Sequence, residues 1–185
     1  MIFHALNRGI ARDRIFDGDA DDAAFERVVV EVPSERRVRI LGYCPMAEHA
    51  QMLFWPPPSR IDPESIRGRI CGILPSLKRP VGERAIGDLR EHSPGDLESL
   101  WVCNANRTYH RFWQAGSGDD ENVSEPRVLH ALVDDVHLNP VRRGLVKRAE
   151  DWPWSSARDW LRINDADLGI DRTFPESLDI PRLNR

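Results

Sequence analysis

Two β-rich runs lie almost back to back, RVRILGYC at 37–44 and EHAQMLFW at 48–55, joined through Pro45-Met46-Ala47. Apolar and β-branched residues recur along both, the pattern of strands in a sheet. So short a link suits an antiparallel pair. The prolines of PPPS at 56–59 then end the sheet edge. Any fold for this chain has to be built around that hairpin.

The flanking segments alternate in type. Residues 1–10 read as a first strand, with Ile2, Ala5 and Leu6 apolar. Residues 19–32 read as a helix capped by Asp19, with Phe25, Val28, Val29 and Val32 at helical spacing and Pro33 as its stop. A helix over 63–74 carries Ile66, Ile70, Ile73 and Leu74 on one face and is interrupted by Pro75; Pro80 suits the first turn of another, 80–91. Residues 92–107 read as irregular, and 109–118 as a short strand running into a glycine loop. Ser124 caps an amphipathic helix with Leu129, Leu132, Val133 and Val136 inward, ending at Asn139-Pro140. DWPWSSARDWL at 151–161 reads as a last helix whose tryptophans pack back on the sheet. The order β-α-β-β-α-β-α predicts an α+β domain, an antiparallel sheet with interspersed helices.

Composition narrows the function. The 185 residues fit one domain, expected over 1–163, followed by a polar tail at 164–185. No apolar run approaches a membrane span and the first residues lack a signal-peptide layout, so a cytoplasmic protein is expected. Three widely spaced cysteines without a C-x-x-C argue against a disulfide framework or a cysteine zinc site. Net charge is −4, from 26 basic and 30 acidic residues, so there is no whole-chain basic footprint for nucleic acid. A local basic face is still open, because Arg67, Lys78, Arg79, Arg107, Arg111, Arg142 and Arg143 cluster in segments.

His49 and Gln51 are two residues apart in a predicted strand and so share a face. An imidazole nitrogen and an amide oxygen make half a site for a hard divalent ion. Asp135 and Asn139 lie one helical turn apart on one face of the helix that follows. By spacing alone, His-x-Gln is more often ordinary strand surface, and Asn before Pro an ordinary helix stop.

Four segments, in order, resemble the REP-associated tyrosine transposases, single-tyrosine enzymes of the HUH class. MAEHAQMLFWP at 46–56 is similar to the family's MPNHVHLLVWP segment, and LKRPVGERA at 77–85 to the helix after it. YHRFWQAGSGDDENVSEP at 109–126 resembles its RFWQ strand and glycine loop. VDDVHLNPVRRGLVKRAEDWPWSSAR at 133–158 is the closest match. The resemblance implies a ferredoxin-like HUH fold, Mg²⁺ or Mn²⁺ as cofactor, single-stranded or hairpin DNA as partner, and a monomer or homodimer. In the family a tyrosine attacks a phosphodiester to give a 5′-phosphotyrosine, with the metal polarising the phosphate.

Carried over, His49 matches the first metal-binding histidine, Gln51 stands where the second belongs, and Asn139 matches the third ligand. Asp135 occupies the place of the tyrosine. The glutamine oxygen can still bind a hard metal. A carboxylate attacking a phosphodiester gives a labile mixed anhydride and brings negative charge toward a phosphate. The chain's two tyrosines, Tyr43 and Tyr109, match no nucleophile position. The resemblance thus implies a transposase-like DNA-binding protein with catalysis impaired, its DNA contacts drawn from the seven basic residues above. The alternatives are an active nickase with a non-standard nucleophile, and the same fold without DNA binding.

Overall fold

The computed structural model describes residues 2–9, 25–29, 38–55, 63–114, 119–123, 126–163 and 170. Four strands form one sheet: β1 (Ile2–Arg8), β2 (Arg39–Met46), β3 (His49–Trp55) and β6 (Asp119–Val123), in the order β2-β3-β1-β6 with every pair antiparallel. A separate ribbon pairs β4 (Trp101–Asn104) with β5 (Arg107–His110). The helices are α1 (25–29), α2 (Pro63–His92), α3 (Pro126–Arg142) and α4 (Ala157–Trp160). The expected α+β class with an antiparallel sheet holds.

β3 is central and covered on both faces, so its alternation sorts side chains between two cores. Ala50, Met52 and Phe54 join Phe25 and Val29 of α1 and Ile73, Leu74 and Val81 of α2. Leu53 joins Leu41, Cys44 and Met46 beneath Leu129, Val133 and Val136 of α3. His49 and Gln51 lie at i−4 and i−2 from Leu53, so the pleat aims them to the α3 side. A bulge at Leu41 sets Gly42 opposite Leu53.

β2 is an edge strand, and the segment after α3 covers it. The Trp152 indole N–H donates to the Pro45 carbonyl at 3.0 Å, and that of Trp160 to the Leu41 carbonyl at 2.7 Å. Between them Ser156 receives the Tyr43 backbone N–H at 2.8 Å and donates its own N–H to the Tyr43 carbonyl at 3.1 Å. Residues 152, 156 and 160 thus meet 45, 43 and 41. The strap satisfies edge groups that would otherwise template pairing with another chain. Pro45, with no N–H to offer, is tolerated because it lies on this edge.

Several expected boundaries move. Residues 63–92 form one continuous helix with Pro75 and Pro80 inside it, not two. α3 likewise runs past Asn139-Pro140 to Arg142 before Gly144, at φ 71°, ends it. The region expected to be irregular holds a 3₁₀ turn, Asp96–Leu100, and strand β4. Of the expected strand 109–118, only 109–110 belongs to β5. The last helix shrinks to Ala157–Trp160, because Trp152 and Ser156 before it bond to the β2 edge. β6, DDENV, has no apolar alternation and was not expected; it lies at an edge, where backbone pairing suffices. The expected helix 19–32 lies outside the described residues except at 25–29. Ile170, in the expected tail, is buried and bridges Ile40.

An interior proline removes a hydrogen bond and crowds the preceding turn. Pro75 is exposed, so its replacement leaves no cavity. Pro75→Ala is therefore expected to stabilise the protein by up to about 3 kcal/mol. Chemical denaturation checks this, and an unchanged midpoint would mean that the helix breaks there in solution.

Candidate functional site

The cleft lies where β1, β3 and the last turns of α3 converge. Register places Arg8 opposite His49 and Leu6 opposite Gln51, so all four share the α3 side of the sheet. Asn139 follows Val136 by one turn, the residue that anchors α3 on the sheet. Arg143 is one further turn on. These residues, with Ala47 and Glu48 of the β2–β3 turn and Gln114, line a cavity of about 710 Å³. Gln114 is held there because its backbone N–H donates to the Arg8 carbonyl at 2.8 Å and its side-chain amide to the Gly9 carbonyl at 2.9 Å.

His49 and Asn139 are in contact. The Asn139 Nδ2 lies 2.7 Å from His49 Nε2. Burial first, and the Arg8 charge second, lower the His49 pKa to about 4, so the ring is neutral at pH 7. Its Nε2 lone pair accepts from the amide, and its Nδ1 faces a Glu48 carboxylate oxygen at 3.8 Å. Beside it, Gln51 Oε1 is buried and makes no hydrogen bond among the described residues. A buried amide oxygen without a donor costs about 1–3 kcal/mol. Arg143 forms an ion pair with Glu48 across the rim.

A neutral imidazole nitrogen, an orphaned amide oxygen and an amide that can turn its oxygen inward suit a hard divalent cation. They bring no negative charge, and Arg8 is opposite. No group of three His, Cys, Asp or Glu that could hold a metal occurs among the described residues. Such a donor set holds a cation firmly only when an anionic ligand arrives with it.

Three of the four expected site residues meet here: His49, Gln51 and Asn139. Asp135 does not line the cleft. Its carboxylate, about half exposed, takes a hydrogen bond from Arg142 at 2.7 Å. Of the six expected DNA contacts whose side chains are described, only Arg143 lines the cleft. Lys78 sits 5.9 Å over the Trp113 ring, Arg79 pairs with Glu83, Arg142 with Asp135, and Arg107 and Arg111 lie on the ribbon or at its base. The side chain of Arg67 lies outside the described residues. Tyr43 is fully buried, donates to Glu26 at 3.1 Å, and has its pKa pushed far above the usual phenol range by burial and then by Glu26. It is no nucleophile. Arg8 and Gln114 were not anticipated, because only strand register and long-range backbone bonds bring them in; Glu48 enters as the chain neighbour of His49.

A solved structure of a REP-associated tyrosine transposase bound to a REP hairpin superposes with a TM-score of 0.58, at 17% identity, over 100% of this chain and 90% of that one. The chain shares that transposase's fold. A candidate transposase from Deinococcus radiodurans gives a looser likeness, with a TM-score of 0.41 and 11% identity over 71% of this chain and 85% of that one. No family model matches the sequence, and no curated protein matches it. Among the described residues no helix is long and apolar enough to cross a membrane.

Proposed function

We propose that the chain is a REP-associated tyrosine transposase relative that binds single-stranded or hairpin DNA in this cleft and has lost the nicking nucleophile. The observation that carries this is the convergence of His49, Gln51 and Asn139 with Arg8 and Arg143 on one cavity, on a fold shared with a transposase bound to a DNA hairpin. Arg8 and Arg143 would take phosphate oxygens, the second by exchanging Glu48 for the DNA. His49, Gln51 and Asn139 would hold Mg²⁺ or Mn²⁺ alongside the phosphate. When bound, the ion would polarise the phosphorus centre. The low His49 pKa keeps its Nε2 unprotonated at neutral pH, and Asn139, whose amide N–H occupies that lone pair here, would turn its oxygen to the ion and release it.

Among the described residues, those lining the cleft include no hydroxyl and no thiol. Asp135 stands one turn away, tied to Arg142. Both features favour binding without strand cleavage over an active nickase.

Hairpin DNA with a fluorescent label, titrated across a salt series, tests this reading. Binding should weaken steeply with salt, and Arg8→Glu with Arg143→Glu should lower affinity at least about 10-fold and flatten the salt slope by about 0.7 to 0.9 per lost contact. Absence of binding by the intact protein would leave the fold without the function. A covalent protein–DNA band from the intact protein in Mn²⁺ would show that a nucleophile persists.

A further inference from the structure

The β4–β5 ribbon stands apart from the main sheet, and its strand residues are exposed except Val102 and His110, which are half-buried. It is nonetheless firmly rooted. Leu97 and Leu100 before it and Phe112 and Trp113 after it are all buried in the α2-side core. Arg111 donates its backbone N–H to the Leu100 carbonyl at 2.9 Å, closing the base. The sequence from 101 to 118 holds two arginines and no carboxylate, in a chain of net charge −4.

Cross-strand register divides the ribbon into two faces. Trp101 opposite His110 and Cys103 opposite Thr108 make one. Val102 opposite Tyr109 and Asn104 opposite Arg107 make the other, continued by Arg111 two residues on. On this second face the Arg111 guanidinium lies 5.3 Å over the Tyr109 ring and donates to its hydroxyl. The ring is thereby held in place, 37% exposed, with Arg107 two residues before it on the same face.

We propose that this face is a stacking platform for unpaired nucleotides of the bound DNA: a base on Tyr109, with Arg107 and Arg111 on the flanking phosphates. A flat aromatic between arginines, on a ribbon without acids, matches the chemistry of single strands, which offer a π-face at each base and a negative charge at each phosphate. Position agrees as well. The chain passes from Tyr109 to Gln114 of the cleft in five residues, a span of at most about 18 Å. A few unpaired nucleotides leaving the cleft would reach the ribbon. The opposite face, led by Trp101, has no formal charge and is not assigned to DNA. The inference rests on the DNA-binding function proposed for the cleft.

The test uses the full chain and two labelled substrates, a blunt hairpin and the same hairpin with an oligo-thymidine extension. Tyr109→Ala and Arg111→Ala should each weaken binding of the extended hairpin about 5- to 100-fold and leave the blunt one unchanged. Tyr109→Phe and Tyr109→Trp, which keep the ring, should retain the preference for the extended substrate. Trp101→Ala, on the other face, should bind both as the unmodified chain does. Unaltered affinity of Tyr109→Ala for the extended hairpin would overturn the platform while leaving the cleft reading intact, and so would an equal loss in Trp101→Ala. Failure of the intact protein to bind either DNA would overturn both.

Discussion

Asp135→Tyr is expected to form a covalent adduct with hairpin DNA in Mn²⁺, where the unmodified chain forms none. In α3 the Asn139 side chain leans back toward the turn that carries residue 135, as helical side chains do, and Asn139 reaches the cleft at His49. A phenol at 135 therefore starts one turn from the proposed phosphate position. Its oxygen would bond to phosphorus as the 3′ oxygen of the preceding nucleotide leaves, giving a 5′-phosphotyrosine. The native carboxylate opposes this twice: its acyl phosphate hydrolyses readily, and its charge repels the phosphate by about 1 kcal/mol at 4 Å in water and by about 4 kcal/mol near a protein surface. Arg142 already binds that carboxylate, so the substitution also frees a cation for the DNA. Adding Gln51→His should raise the yield further, since a second imidazole replaces the orphaned amide oxygen. A denaturing gel of labelled DNA gives the readout. A double variant that binds the hairpin yet leaves no covalent band would refute the assignment of position 135.

What the sequence revealed of this site follows the range of the interactions involved. The shared face of His49 and Gln51 was legible because strand periodicity is local; the helix repeat relates Asn139 only to Asp135, and its meeting with the strand pair was implied by the family resemblance alone. Asp135 obeys the same repeat and still lies outside the cleft, because Arg142, seven residues on, claims its carboxylate. Arg8 enters through the β1–β3 register and Gln114 through bonds to Arg8 and Gly9, neither of which leaves a local trace. The fold shows the same division. The β2–β3 hairpin and the apolar stripe of α3 could be read directly. β6 could not, since DDENV has no apolar alternation to mark it as a strand. Nor could the strap, since Trp152, Ser156 and Trp160 have helical spacing but serve as hydrogen-bond donors and acceptors to a strand edge. Pro75 misled in the opposite direction: a local breaker signal was overridden inside a long helix whose inward residues Ile73, Leu74 and Val81 are packed on the core.

Acid is expected to destabilise the fold through His137, and the effect should be large. His137 is fully buried on α3, with Nε2 at 2.8 Å from the Ser156 hydroxyl and its ring against Trp160 at 6.2 Å. Burial lowers its pKa to about 3, against about 6.5 in an unfolded chain. Between pH 6.5 and 3 the unfolded state therefore holds a proton that the folded state does not. Stability rises with pH across that window, is complete above it, and is lost as pH falls through it. At about 1.4 kcal/mol per pH unit the loss reaches roughly 3 kcal/mol by pH 4.5. His49, lowered to about 4, adds a smaller loss of the same sign. Protonating His137 strikes where α3 meets the strap on β2, so Asn139 should lose its position over His49 as the fold opens. His137→Gln keeps a polar partner for Ser156 and removes the titration. Urea denaturation at pH 7 and pH 4.5 should show the gap between the two pH values narrowing by about 2–3 kcal/mol in this variant. Parallel behaviour of the variant and the unmodified chain would mean that carboxylates elsewhere, not His137, set the acid limit.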